Sequence, residues 1–235
     1  AKRIDDKLPR YFGTLPRLTY GVRPVPADIE EGYTTGRYFG GSPQQGIAGG
    51  YMVNTSHLDQ RGLYELPSLT LHEAVPGHYL QLAYANRCPS LPRAILWSGV
   101  FAEGWAVYTE QMMLDQGYGE GDLSLRLHQL KFYIRAVLNA ILDNKMHTAN
   151  MTDEDAMKLL VERGFQTEAE AVGKIARAKQ SSTQLSTYFV GRTAFYRLRQ
   201  DVQRKRGDTF DLGKFHEEVL SHGTLPVKYL PELVK

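Results

Sequence analysis

The segment His-Glu-Ala-Val-Pro-Gly-His at residues 72–78 combines the residue types of a metal-dependent hydrolytic site. Neutral imidazoles bind zinc well, and a glutamate beside one of them can accept a proton from water, which is the chemistry of the H-E-x-x-H motif. Here, however, His72 and His78 are six residues apart. On a regular helix they would point about 120° apart and lie roughly 9 Å apart along the axis. An uninterrupted helix could not bring both to one ion.

The sequence contains its own control, because the segment from His216 to His222 has the same H-E-x-x-x-x-H spacing. What distinguishes the first segment is Pro76-Gly77. Pro76 has no N–H for the carbonyl four residues earlier, and Gly77 accepts backbone angles that other residues resist. We expect the chain to loop out there and to place both imidazoles on one face; a plain helix without metal is the alternative. His216 and His222 are predicted to be ordinary residues of a helix face and a helix end.

A third ligand is predicted at Glu103, 25 residues after His78, in the segment F-A-E-G-W-A-V-Y-T-E. A carboxylate among so many apolar residues is costly unless a positive group pairs with it. Glu110 lies seven residues further on, on the same helical face, where it could orient a ligand without binding the metal itself. The alternative is that both glutamates point outward from an amphipathic helix.

Composition and charge limit the class of protein that carries these residues. The 235 residues are 42% hydrophobic and contain no apolar stretch near the roughly 20 residues of a membrane span, so a soluble protein of one large or two small domains without a transmembrane segment is expected. A net charge of only +2 argues against nucleic-acid binding. Cys88 is the single cysteine, which excludes an intrachain disulfide and leaves histidine and carboxylate as metal ligands.

Helical periodicity dominates the rest of the chain. Thr152 and Thr167 each begin an N-capping pattern, the second of them ahead of a long helix that should reach about Arg206. The other predicted helices cover residues 64–87 (with an interruption at Pro76-Gly77), 91–117, 121–148, 212–221 and 226–234.

Residues 1–35 are proline-rich and predict an extended arm, since the residue before each proline is biased away from helix. The glycine-rich run that follows predicts a turn and a short strand, a small β element near residues 38–54, with a surface loop as the alternative. The expected architecture is therefore mainly α, with residues 36–235 as the domain that carries the site.

These motifs resemble the bacterial domain of unknown function 885 family, whose members are taken to be zinc-dependent peptidases. The hallmark H-E-A-x-P-G-H-x-x-Q is matched from His72 to Gln81, and E-G-W-A-x-Y-x-E from Glu103 to Glu110. The pattern G-x-Y-x-V-N followed by an arginine is similar to residues 49–54 and Arg61, and the final F-D-L-x-x-F-H is matched at residues 210–216. The resemblance covers essentially the whole chain and implies a helical, gluzincin-like metallopeptidase domain.

The resemblance implies one zinc ion per chain, held by His72, His78 and Glu103, with Glu73 as the general base for water that attacks a peptide substrate. Glu110 and Asp143 are the implied orienting residues. Tyr188 and His147 are candidate donors to the reaction intermediate, although packing explains a tyrosine and an i,i+4 pair explains Asp143 with His147. The implied substrate-binding residues are Arg177, Gln184, Tyr51 and Asn54.

Two departures from the family pattern stand out. Ser182-Thr183 replaces a Pro-Gly pair, and Asn139 replaces an arginine. Family members are also much longer, so the chain is predicted to be the C-terminal, active-site-bearing part of a protein whose N-terminal part is its partner. Its compartment stays open, cytoplasmic or exported.

The predicted function is a zinc-dependent peptidase. A carboxylate clamp at Arg177 would imply exopeptidase action, while a plain surface charge there would not. Two rival functions remain open: a non-catalytic helical binding or scaffold domain that keeps the family pattern, and a metal-dependent hydrolase of a non-peptide amide or ester.

Overall fold

Helices form most of the structure, a computed structural model that describes residues 2–31, 33–60 and 62–235. The helices are α1 (Lys2–Asp5), α2 (Leu66–Glu73), α3 (His78–Ala85), α4 (Leu91–Ile95), α5 (Gly99–Asp115), α6 (Leu123–Thr148), α7 (Asp153–Lys158), α8 (Glu168–Gln180), α9 (Thr187–Arg206), α10 (Leu212–Ser221) and α11 (Leu230–Leu233). A π-helical turn, Leu159–Arg163, extends α7. The predicted mainly α fold is confirmed. Within the described residues, no helix is both long and apolar enough to span a membrane.

A three-stranded sheet, β1 (Tyr20–Pro24), β2 (Gly36–Phe39) and β3 (Gly49–Val53), packs beside the helices. Its order is β1-β3-β2, with β3 parallel to β1 and antiparallel to β2. The predicted β element near residues 38–54 is therefore confirmed. Strand β1 was not predicted, because it lies in the proline-rich segment and its partner strand is more than 20 residues away.

The N-terminal segment, predicted as an extended arm, packs into the main core instead of standing apart from it. Ile4, Leu8 and Phe12 are all buried. They follow one another at four-residue spacing, through α1 and a 3₁₀ turn at Leu8–Arg10, so one side of this segment is apolar. The same segment then supplies β1 to the sheet.

Helix α5 lies at the centre of the main core, where Phe101, Trp105 and Tyr108 are fully buried. It crosses α9 in direct backbone contact, since a Cβ added to Gly104 would lie only 2.4 Å from the backbone of Gly191. A second apolar cluster joins α6, α7 and α8. The candidate site lies on α2, α3 and α5, where they face α8 and α9.

Two predicted helices are broken in the structure. The helix expected over residues 91–117 is interrupted between α4 and α5, where Ser98 donates its backbone N–H to the carbonyl of Thr224. The long helix expected up to Arg206 is two helices, α8 and α9. Asp143 on α6 accepts hydrogen bonds from the backbone of Thr183 and Ser186 between them, and these bonds stabilise the break.

The predicted capping patterns are confirmed. The Thr167 side chain accepts from the Glu170 backbone, and the Glu170 side chain accepts in return, which is a complete capping box at the start of α8. The Thr152 side chain accepts from the backbone N–H of Asp155 at the start of α7.

Candidate metal centre

The loop between α2 and α3 brings His72 and His78 together, as the Pro76-Gly77 pair predicted. Their ring centroids are 4.8 Å apart. The Val75–Pro76 peptide bond is cis, and Trp105 on α5 donates its indole N–H to the carbonyl of Pro76 at 2.9 Å. Gly77 is required here, because a Cβ would lie 1.8 Å from the carbonyl oxygen of His72.

Glu103 on α5 completes what we call the histidine–glutamate cluster: His72, Glu73, His78 and Glu103. Its Oε2 atom lies 3.5 Å from Nε2 of His72 and 3.4 Å from Nε2 of His78. That oxygen is buried and has no hydrogen-bond partner among the described residues. Ligand atoms of His72, Glu73 and His78 also lie within 4.8 Å of one another. A buried carboxylate oxygen aimed between two imidazoles fits a bound cation.

Glu110, also on α5, holds His72 from the other side. The Nδ1–H of His72 donates to Oε1 of Glu110 at 2.7 Å, so Nε2 is the ring nitrogen that faces Glu103. This is the arrangement expected for a group that orients a metal-binding imidazole. The predicted orienting position of Glu110 agrees with this geometry.

The carboxylates dominate the electrostatics of the cluster. Burial by itself lowers the pKa of His72, but the adjacent carboxylate of Glu103 and the hydrogen bond to Glu110 outweigh burial and hold that pKa well above its usual value. For Glu103, burial acts to raise the pKa, yet the adjacent His78 and His72 bring it well below its usual value. Burial raises the pKa of Glu110. The negative charge of the carboxylates that stabilises a proton on His72 would also stabilise a metal cation.

Glu73, the predicted general base, is fixed by the sheet. One carboxylate oxygen accepts a hydrogen bond of 2.8 Å from the backbone N–H of Tyr38 on β2. Because α2 ends at Glu73, its side chain lies next to His72 and also reaches this strand. Sequence reasoning missed the contribution of Tyr38, since no spacing rule connects β2 to the end of α2.

Tyr188, at the start of α9, stacks on the cluster, with its ring 6.4 Å from that of His72. Its hydroxyl accepts hydrogen bonds from Arg177 at 2.8 Å and from Gln184 at 3.3 Å. Burial, together with the charge of Glu103, raises the pKa of Tyr188 to about 12, so the hydroxyl keeps its proton at neutral pH. The structure thus gathers three predicted site residues beside the cluster.

Sequence reasoning missed Lys174, which lies on α8 one helical turn before Arg177. Burial, followed by the charges of Arg177 and Arg135, lowers the pKa of Lys174 to about 8. Glu103 is among the charges that act on it. The available signal was its position three residues before Arg177, which places both on one face of a helix.

Asp143 and His147 brace the junction of α6, α8 and α9. Asp143 caps the start of α9, and Nε2 of His147 donates to the carbonyl of Ala178 at 3.0 Å. Among the described contacts, neither residue touches the histidine–glutamate cluster. The predicted catalytic role of His147 and the predicted orienting role of Asp143 therefore stay predictions without a supporting contact.

Tyr51 and Asn54 have structural roles in and beside the sheet. Tyr51 is buried on β3, and burial raises the pKa of its hydroxyl. The amide of Asn54 donates to the carbonyls of Glu30 and Tyr33, which ties the loop before β2 to the end of β3. Arg61 lies outside the described residues.

Strand β3 offers no edge to which an extended peptide could add. Strand β3 is the central strand, hydrogen-bonded to β1 on one side and β2 on the other, so its backbone has no free edge.

The second H-E-x-x-x-x-H segment is structural. His216 is fully buried, not merely on a helix face as predicted. Its ring stacks on Phe12, its Nε2 accepts from the hydroxyl of Tyr108 at 2.7 Å, and its Nδ1–H donates to the carbonyl of Tyr11. His222 ends α10, where Arg93 contacts its carbonyl. With no loop between them, these histidines do not converge.

The fold and site define a class: a mainly helical domain with a partly buried cluster of two histidines and two glutamates. The sequence profile of the bacterial proteins of unknown function called DUF885 matches residues 1–234, and the chain belongs to this family.

Two solved structures are similar over nearly the whole chain. A protein described as a "putative lipoprotein" from Colwellia psychrerythraea is 28% identical with a TM-score of 0.95; the alignment covers 99% of this chain and 40% of that protein. A "putative lipoprotein of unknown function" from Shewanella oneidensis is 33% identical with a TM-score of 0.81, covering 99% and 45%. The chain therefore spans less than half the length of these two proteins. No curated protein matches the chain.

Proposed function

We propose that the histidine–glutamate cluster is the active centre of a zinc-dependent hydrolase that cleaves peptide bonds. The observation that carries the proposal is the buried Oε2 of Glu103, which has no hydrogen-bond partner among the described residues and lies 3.5 and 3.4 Å from two imidazole nitrogens. His72, His78 and Glu103 would hold one ion per chain. Two imidazoles and a carboxylate suit zinc, and a catalytic zinc site keeps one further position open.

A bound zinc ion would supply Lewis-acid chemistry, polarising water and the substrate carbonyl. Glu73 then has the position of the general base. Held by the backbone N–H of Tyr38, it accepts a proton from the attacking water and passes it to the leaving nitrogen as the amide bond breaks.

Tyr188 would donate a hydrogen bond to the carbonyl oxygen as negative charge develops there. Three features support this role: its position over His72, its retained proton, and the two hydrogen bonds from Arg177 and Gln184 that fix its oxygen. The same hydrogen bonds keep its ring in one orientation.

The location of the whole protein also belongs to the proposal. Both similar structures are described as putative lipoproteins, which supports an exported, lipid-anchored form for the protein that contains this chain. Because those proteins are more than twice as long as this chain, we propose that a further region of the protein covers part of the site.

The test combines metal analysis with matched variants. Zinc would be measured by plasma mass spectrometry in protein purified without chelators, and hydrolysis with a peptide library. We expect His78→Ala to lose the metal, whereas His222→Ala, in the second motif of equal spacing, keeps it. Glu73→Gln should retain zinc and lose hydrolysis by about a hundred-fold or more, whereas Glu217→Gln should keep both.

Three outcomes would contradict the proposal. Activity that is indifferent to Glu73→Gln removes the mechanism, and zinc retained in His78→Ala removes the metal site. Cleavage of esters or non-peptide amides without any peptide cleavage would keep the metal and replace the substrate class.

A further inference from the structure

Two cations of α8, one of them hydrogen-bonded to Tyr188 beside the histidine–glutamate cluster, form no ion pair with a carboxylate among the described residues. Lys174 and Arg177 lie three residues apart on α8, and among the described residues no carboxylate oxygen is within 4.0 Å of either charged group. Nearby cations differ in this respect. Arg135 pairs with Glu65 and Glu170, and Lys179, on the same helix, pairs with Asp153.

Arg177 faces the candidate centre, and Lys174 lies one helical turn before it on α8. The guanidinium of Arg177 donates to the hydroxyl of Tyr188 at 2.8 Å, and the Tyr188 ring lies 6.4 Å from the ring of His72. The charges of Arg177 and Arg135 lower the pKa of Lys174, and those of Glu170 and Glu103 act in the opposite direction. Two like charges in a partly buried position repel each other and lose hydration, so an anion between them would be stabilised.

We propose that Lys174 and Arg177 bind the terminal carboxylate of a peptide, so that the enzyme acts on the C-terminal end of its substrates. The inference rests on the proposed hydrolase function and names its substrate class. One guanidinium nitrogen of Arg177 is occupied by Tyr188 and Gln184. The remaining N–H groups form part of a planar fork that matches a carboxylate, and Lys174 adds a second, mobile donor.

The distances restrict the site of cleavage. Arg177 is linked to His72 through a single tyrosine ring, by the 2.8 Å hydrogen bond and the 6.4 Å ring separation. At about 3.3–3.6 Å per extended residue, a peptide whose carboxylate sits at Arg177 reaches His72 within about three residues. Hydrolysis adds one water across that amide bond, leaves a new carboxylate on the longer product and releases a short C-terminal fragment with a free amine.

The same anion could come from an acidic side chain within a peptide, so the test separates the two sources. Glu73→Gln protein, which should not consume its ligand, would be titrated calorimetrically with three probes: tetra-alanine as the free acid, the same peptide as its C-terminal amide, and a C-terminal amide with glutamate at the last position. The free acid should bind at least about ten-fold more tightly than the plain amide.

Variants of two lysines on α8 would show which residue causes the preference for the free acid. In Lys174→Met the ratio of the two dissociation constants should fall toward one, and Lys174→Arg should restore it. Lys179→Met removes an exposed cation of α8 that is already paired, and the ratio should be unchanged. Melting temperatures of all three variants would show whether Lys174→Met remains folded; Lys174→Arg keeps the comparison informative if it does not.

The inference is overturned if acid and amide bind equally, if no probe binds, if the glutamate side chain of the third probe replaces the terminal carboxylate fully, or if Lys179→Met acts like Lys174→Met. The two proposals fail in distinguishable ways. Selective binding of the free acid without any hydrolysis would overturn the hydrolase alone, whereas hydrolysis that ignores the carboxyl terminus would overturn this subsite alone.

Discussion

At the scale of single residues, the same side chain serves opposite purposes in the two equally spaced motifs. His72 is hydrogen-bonded to a carboxylate through Nδ1 and faces another through Nε2, so the site favours a positive charge on or beside the ring. His216 meets a carbonyl and a tyrosine hydroxyl inside an aromatic core, so it is stable only as the neutral ring. Surroundings, not spacing, decide the chemistry of each histidine.

This difference predicts how stability depends on pH. Burial lowers the pKa of His216 to about 3, against about 6.5 in the unfolded chain. Between those values the unfolded chain binds a proton that the folded state does not. Stability should therefore fall as the pH drops below about 6.5, by up to about 1.4 kcal/mol per pH unit from this residue.

Urea unfolding between pH 7 and pH 5 would measure this effect. His216→Gln should be less stable at pH 7, because it loses aromatic packing, but its stability should fall less steeply with acid. Titration of the His72 site is common to both proteins and cancels in the comparison. Parallel pH profiles for the two proteins would show that His216 does not contribute.

At the scale of elements, the features that depend on neighbouring residues were predicted from the sequence, and those that depend on distant residues were not. The interruption at Pro76-Gly77 and the caps at Thr152 and Thr167 depend on neighbouring residues, and all three were predicted. The break between α8 and α9 depends on Asp143, about 40 residues earlier in the chain, and strand β1 depends on β3. The periodicity of a segment gives no information about its contacts with residues that are distant in the sequence.

The same difference between local and distant signals applies to the residues of the candidate site. The convergence of His72, His78 and Glu103 was predicted because apolar surroundings made Glu103 unusual and Pro76-Gly77 distinguished this histidine spacing from that of a plain helix. Lys174 was missed because a lysine on an amphipathic helix is ordinary until the tertiary structure buries it. Tyr51 and Asn54 matched a family pattern, yet their side chains serve the fold.

The crossing of α5 and α9 provides a prediction at the element scale. A Cβ at Gly104 would lie 2.4 Å from the backbone of Gly191, which a side-chain rotation cannot relieve. Gly104→Ala should therefore lower the free energy of unfolding by about 1–3 kcal/mol or more. Gly173→Ala on α8 is the matched control, since nothing lies within 4 Å of its Cβ, and it should raise stability by about 0.5–1 kcal/mol.

Both changes would be measured by chemical denaturation. A Gly104→Ala protein as stable as the parent would mean that the two helices can separate without cost, contrary to the packing described here.

At the scale of the whole molecule, the proposed metal joins segments that are distant in sequence. Its ligands come from α2, α3 and α5, and its base is attached to the sheet. A ligand that binds only the folded chain stabilises it by mass action. Zinc at about a hundred times its dissociation constant should raise the melting temperature by roughly 5–10 °C.

Calorimetry with zinc and then with an excess of chelator would test this. The shift should disappear with the chelator and be absent in His78→Ala, while His222→Ala should behave like the parent. A melting temperature that does not respond to zinc would contradict the proposed site.

The close crossing of α5 and α9 also has a consequence for sequence divergence. Glu103 directly precedes Gly104, and Tyr188 lies three residues before Gly191, so the two groups are positioned by main chain touching main chain. Side chains elsewhere in the core can therefore change size or shape without moving the carboxylate relative to the phenol. Substitutions in the surrounding residues should leave the relative positions of Glu103 and Tyr188 unchanged as long as both glycines remain.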